Sequence, residues 1–253
     1  MHEDVGVDID AVVITNNTIH SDIIDYSLSR KVVSEFTGTM LLVSTIIGSG
    51  IMGSELSSDD GIALLGNTIS TIGMLYVIIN IFGKISGAHF NPLVTLMFWF
   101  KKDINNEILL YIPGQLFGGI MGTILAHNMF NMPAIDFPGK ERDSSGEFIS
   151  EIISTFGLLN TILGTINANR EDIVGNTVSM YIMAGYWFTL STCFANPAVT
   201  IARTFTPTFA GISFKSWPVY FGGQIIGFIL ALPFSEWLFK NKSFNNSIKV
   251  FIK

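Results

Sequence analysis

Six apolar runs, each near the length of a membrane crossing, dominate this chain: residues 32–53, 62–82, 108–130, 148–166, 173–189 and 217–239. A helix needs about 20 mainly apolar residues to cross the hydrocarbon core. Inside that core every backbone polar group must find its partner within the protein. The runs therefore predict an all-α membrane protein. Composition agrees, because only 13% of the 253 residues are charged, against roughly 25% in a soluble domain. A soluble enzyme and a disordered chain are both excluded. The net charge of −6 offers no basic patch, so no nucleic-acid partner is expected. Cys193 is the one cysteine, which rules out an intramolecular disulfide and a multi-cysteine metal site.

Two shorter apolar stretches, residues 91–100 and 196–205, have about half the spanning length, and each opens with Asn-Pro. Asn is a strong N-cap and Pro suits the first helical position, where its missing N–H is no loss. Non-helical backbone within a membrane is tolerated only where protein buries it or a water-filled cavity adjoins it. Two re-entrant half-helices are therefore predicted. They belong to a repeat. Ser34-Glu35 is echoed by Ser150-Glu151, Asn91-Pro92-Leu93-Val94-Thr95 by Asn196-Pro197-Ala198-Val199-Thr200, and Gly114-Gln115 by Gly223-Gln224. From Glu to Asn is 56 residues in the first half and 45 in the second; from Asn to Gln it is 24 and 28. With three spans per half, the second half enters from the opposite side. This is an inverted repeat, which places a solute path near the midplane.

The chain divides into an acidic tail (1–29), a first repeat (30–130), an extracytoplasmic connection (131–147), a second repeat (148–239) and a short tail (240–253). The first tail lacks the basic start of a secretory signal. With both termini cytoplasmic, ten of the 14 Lys and Arg lie inside, while Lys140, Arg142, Arg203 and Lys215 lie outside. That distribution obeys the positive-inside rule for a multi-pass protein of the cell membrane.

The paired Asn-Pro boxes, the run from Ser86 to Pro92, and the Glu in the first and fourth spans resemble the major intrinsic proteins, the aquaporins and aquaglyceroporins. The resemblance covers residues 32–239 and implies six spans plus two half-helices meeting end to end at mid-membrane. It implies a passive channel for water and small neutral solutes, assembled as a homotetramer in the bilayer, with no cofactor, metal or catalytic residue. Two departures stand out. Leu93 replaces the usual alanine of the first box, and Val199 stands where most members carry arginine.

The pore-centre residues are then Asn91, Pro92, Leu93, Asn196, Pro197 and Ala198. Their half-helices each direct up to about half a positive charge at the centre, which opposes protons and cations. Glu35 and Glu151 are ionisable groups inside spans and so functional candidates by default. Either they relay protons or they accept bonds from the half-helix loops, and their symmetric duplication favours the second. His89 is a metal ligand, a pH gate or a loop brace. His2, His20 and His127 are too scattered to form a site with it.

The family's outer constriction, counted from the boxes, falls on Thr71, Ala184, Cys193 and Val199. None is aromatic or charged, so the resemblance implies a wide constriction open to polyols and amides. Residues 194–203, followed by 208–212, resemble a bacterial subgroup linked to arsenic resistance, which adds undissociated arsenite as candidate cargo. A coupled secondary transporter is the competing reading, since it also uses inverted repeats and broken helices. It would need ionisable groups facing the substrate, and beyond Glu35 and Glu151 the spans supply none.

Overall fold

Several helix ends fall where the sequence supplies caps. In a computed structural model, residues 26–101, 106–137 and 139–239 are described; the acidic stretch 1–25 and the tail from residue 240 lie outside them. Eight α-helices occur among the described residues: α1 (Leu28–Leu56), α2 (Asp60–Ser86), α3 (Pro92–Phe100), α4 (Tyr111–Met129), α5 (Ser145–Asn167), α6 (Val174–Phe188), α7 (Pro197–Ala202) and α8 (Trp217–Leu238). The Asp59 carboxylate starts α2 by accepting from Gly61 N (2.7 Å) and Ile62 N (3.2 Å), and Gly87, at φ +90°, ends it in the left-handed region. Such a turn favours glycine because a Cβ would clash there. A capping box between Ser144 and Glu147 starts α5.

Five helical stretches are long and apolar enough to cross a membrane: Leu28–Leu56, Asp60–Ser86, Ile108–Met129, Ser145–Asn167 and Phe214–Leu238. The sixth span, α6, has only 15 helical residues and continues from the 3-10 turn Glu171–Ile173. The short helices α3 and α7 have nine and six residues, so the architecture is six spans and two half-helices. The second half-helix is shorter than the apolar stretch suggests. After Ala202 the chain tightens into the 3-10 turn Arg203–Phe205, where the Thr204 hydroxyl donates to the Ile201 carbonyl at 2.7 Å and competes with helical continuation.

The halves pack alike. Helix α1 lies against α2 and α4, α5 lies against α6 and α8, and α2 meets α6 to join the two. Glycine makes the closest approaches. A Cβ added at Gly122 would lie 2.5 Å from the Met40 carbonyl oxygen, and one at Gly227 would lie 2.5 Å from that of Ile152. Backbone cannot swing aside as a side chain can, so Gly227→Val should force α5 and α8 apart and cost about 3 kcal/mol. Thermal denaturation of the detergent-solubilised protein checks this. An unchanged midpoint would mean that the two helices already have slack.

Candidate functional site

Both half-helices begin in loops that turn backbone N–H groups inward, which requires residues at positive φ: Ala88 and Phe90 in the first, Thr192, Cys193 and Ala195 in the second. Non-glycine residues held there are strained unless their surroundings fix them. A carboxyl group does so in each half. Glu35 Oε1 accepts from Ser86 Oγ (2.7 Å) and His89 N (2.9 Å), and its Oε2 from Phe90 N (2.6 Å) and Gln115 Nε2 (2.8 Å). Glu151 repeats the pattern with Ser191 Oγ, Phe194 N (3.0 Å), Ala195 N (2.9 Å) and Gln224 Nε2 (2.6 Å). Both glutamates are fully buried. With four donors each, they brace the loops.

The boxes are crossed. Asn91 Nδ2 donates to the Ala195 carbonyl and Asn196 Nδ2 to the Phe90 carbonyl, each at 2.8 Å. The side-chain oxygen of Asn91 caps α3 by accepting from Leu93 N at 2.9 Å. That of Asn196 caps α7 by accepting from Ala198 N (2.9 Å) and Val199 N (3.3 Å). A carboxamide has two N–H donors, so each Asn keeps one for the space in front of it. Pro92, Leu93 and Ala198 are buried and Pro197 is half-buried.

That space is a continuous cavity of about 1190 Å³ with Asn91 and Asn196 in its wall. One mouth is charged, lined by Lys31, Lys84, Glu171 and Asp172. Leu42, Ile46, Leu75, Leu158, Ile162, Val178 and Ile182 add apolar surface to the same lining. The lining therefore offers a solute both amide donors and hydrocarbon. His89 lies in the wall, with Nδ1 3.1 Å from Thr95 Oγ1 and its ring stacked on Phe98 at 4.9 Å. These contacts tie the end of the first loop to α3.

A profile of the major intrinsic protein family matches residues 22–240. The chain belongs to that family. Among its relatives, the aquaglyceroporin AqpS of Rhizobium meliloti (strain 1021) is 43% identical over 215 residues, covering 85% of this chain and 92% of the relative. Aquaporin AqpM of Methanothermobacter marburgensis is 30% identical over 249 residues, covering 84% and 98%. The aquaglyceroporin of Plasmodium falciparum shares the fold, with a TM-score of 0.64 at 20% identity over 88% of this chain and all of that one.

Of the four positions that counting along the family pattern assigns to the constriction, Thr71, Cys193 and Val199 line the cavity. Ala184 does not, and lies on the exposed face of α6. The helical period explains this: Val178, Ile182 and Tyr186 form the stripe that faces inward, and Ala184 is half a turn away from it. Gly185 sits against the second loop, where an added Cβ would come within 2.6 Å of the Cys193 Cβ. From α6 the cavity wall receives the ring of Tyr186, whose hydroxyl lies 3.3 Å from Thr71 Oγ1 and which the count missed. Also missed were Ser86 and Ser191, and the way Gln115 and Gln224 tie the carboxyls to Thr95 (3.0 Å) and Thr200 (2.9 Å). The matching registers of the two halves contain the signal for all six.

Proposed function

We propose that the path carries water together with small neutral polyols and amides, takes undissociated metalloid acids by the same route, and excludes protons and ions. The chain is a passive membrane channel for water and small neutral solutes, as its family membership implies. The observation that carries the wider range is the pair of crossed asparagines, each with one N–H left over, in the wall of a cavity that is also lined by hydrocarbon. A donor pair grips one oxygen, and hydrocarbon accepts the carbon side of a polyol. An oxygen held by two donors cannot also accept from a neighbouring water and pass a proton along. The 43% identity to a protein named an aquaglyceroporin supports glycerol as cargo.

Passive flow, as opposed to coupled transport, is supported by Glu35 and Glu151. Each spends its oxygens on four loop and side-chain donors, which leaves neither to exchange protons with a substrate. The protein is read as a channel and not an enzyme. We assign it to the cell membrane with both termini cytoplasmic and the charged mouth of the cavity on that side. Assembly as a homotetramer, with one path per protomer, completes the reading.

Stopped-flow light scattering on proteoliposomes tests the function with water, glycerol, urea and arsenite at neutral pH. Permeability above protein-free vesicles is expected for all four, without saturation at low concentration. Flux that requires an ion gradient would replace the channel by a coupled transporter. Passage of water alone would remove the polyol and metalloid assignments.

A further inference from the structure

Beside the charged mouth of the cavity lies a second, shallower groove. It measures about 350 Å³ and is lined by Tyr26, Ser29, Arg30, Val33, Ser34 and Ile85, where the start of α1 meets the end of α2. Tyr26 and Ile85 also line the main cavity, so these two side chains form the partition between the groove and the path. Depth in the bilayer follows from length. Helix α1 has 29 residues, which at 1.5 Å each reach about 43 Å, against a hydrocarbon core of about 30 Å. Its first turn precedes the apolar run 32–53 and therefore stands among the lipid headgroups. Val33, just inside that run and 60% exposed, meets the acyl chains. The polar end of the groove carries one charge. Arg30 is exposed, forms no ion pair among the described residues, and is the one charged residue of the lining. Its neighbours do not neutralise it. The Ser34 hydroxyl donates to the Arg30 carbonyl at 2.9 Å, and the first turn of α1 holds no acidic residue. Across the partition, Asp172 is paired with Arg170 at 3.2 Å.

We propose that this groove binds an anionic phospholipid, with Arg30 taking the phosphate, Tyr26 and Ser29 the headgroup hydroxyls, and one acyl chain lying along Val33 and Ile85. The match is one of chemistry and of depth. Arginine is suited to phosphate because its planar fork of donors fits two oxygens at once. A soluble anion would use Arg30 and leave the exposed apolar side of the groove unfilled. A zwitterionic lipid would fill that side, but it brings a fixed cation beside its phosphate, which Arg30 repels. An anionic lipid satisfies both ends. Tyrosine and arginine at a span end are also the residues that favour the headgroup layer. The bound lipid lies against the outer faces of Tyr26 and Ile85, so the site is built into the rim of the path. It does not depend on which solutes pass, and requires only that α1 crosses the bilayer.

Native mass spectrometry of the full chain, titrated with phosphatidylglycerol or with phosphatidylcholine of the same acyl chains, tests the site. In the wild type the first phosphatidylglycerol should bind about fivefold tighter than phosphatidylcholine, the scale set by one basic side chain at an anionic headgroup. Arg30→Ala should bring the two lipids to parity, and Arg30→Lys should keep most of the preference. Lys215→Ala, on the outer side and paired with Glu141, should leave it unchanged. Arg30 is exposed, so these variants are expected to fold. Equal binding of both lipids to the wild type, or a preference that survives Arg30→Ala, overturns the proposal. A preference lost equally in Lys215→Ala overturns it too, since general surface charge then explains the binding. Glycerophosphoglycerol, the headgroup without its chains, should bind much more weakly than the lipid, because chain burial supplies most of the affinity. Equal binding would replace the lipid by a soluble phosphate compound. A preference that appears only after Asp22→Asn and Asp25→Asn would give the groove to the chain's own acidic stretch and end the lipid assignment.

Discussion

Glu151→Ala is expected to abolish the folded protein, and Glu151→Gln to leave a folded but weakened one. The alanine strands four donors: Ser191 Oγ, Phe194 N, Ala195 N and Gln224 Nε2. Each buried donor without a partner costs about 1–3 kcal/mol, and together they approach the whole stability of an ordinary domain, about 5–15 kcal/mol. The bonds that offset the cost of positive φ at Thr192, Cys193 and Ala195 go with them, so the loop also loses what holds its strained backbone. Glutamine is milder. Its oxygen still serves one pair of donors, and the Ser191 hydroxyl can rotate to accept from the new amide. At least one backbone N–H remains stranded, at a cost of about 1–3 kcal/mol. Thermal melting in detergent, read beside water flux in vesicles, separates bracing from proton relay. Bracing lowers the melting point in proportion to the lost bonds. A glutamine variant that melts like the wild type but carries no flux would favour the relay.

What the sequence makes legible follows from the scale of the physics. Crossing a bilayer imposes a length and an apolar composition on every span, so six runs could be read directly. The half-helices were readable because Asn-Pro is a local cap signal placed where no soluble reading fits. The inverted repeat pointed to the bracing glutamates, and symmetry argued that both have the same role. The crossed bonds between Asn91 and Ala195 and between Asn196 and Phe90 join residues more than a hundred positions apart. Only the folded chain brings them together.

The constriction was less legible. Counting back from the second box reached Ala184, yet the inward stripe of α6 carries Tyr186. A shift of two residues turns a helix by about 200°, enough to exchange lipid for cavity. A count that crosses a loop, here the turn at residues 189–195 with three residues at positive φ, loses its register at that scale. The surroundings of Arg203 were not legible for a related reason. Position 199 holds valine, but α7 ends after six residues, and the turn that follows brings Arg203 back onto Phe194.

Asn196→Asp should reduce water flux and admit protons. Its carboxylate can still accept from Ala198 N and Val199 N, so the cap of α7 survives and the fold is kept. The other oxygen takes the place of Nδ2, which now donates to the Phe90 carbonyl at 2.8 Å. Two acceptors then face each other and the bond is lost. If the acid takes up a proton to repair that contact, its only hydrogen is used there, and no donor remains for the path. Either protonation state removes the N–H that grips the solute oxygen. Loss of one such bond corresponds to about a tenfold drop in water permeability. The ionised form does more. Each half-helix brings at most about half a positive charge to the centre, so one carboxylate cancels both ends together. A water there is then free to accept and pass a proton, and the electrostatic cost of doing so is gone. Vesicles loaded with a pH-sensitive dye and given a proton gradient should show faster acidification than wild type at equal protein content. If the variant stays proton-tight while its water flux falls, the barrier to charge lies elsewhere along the path, and the boxes serve only to hold the solute.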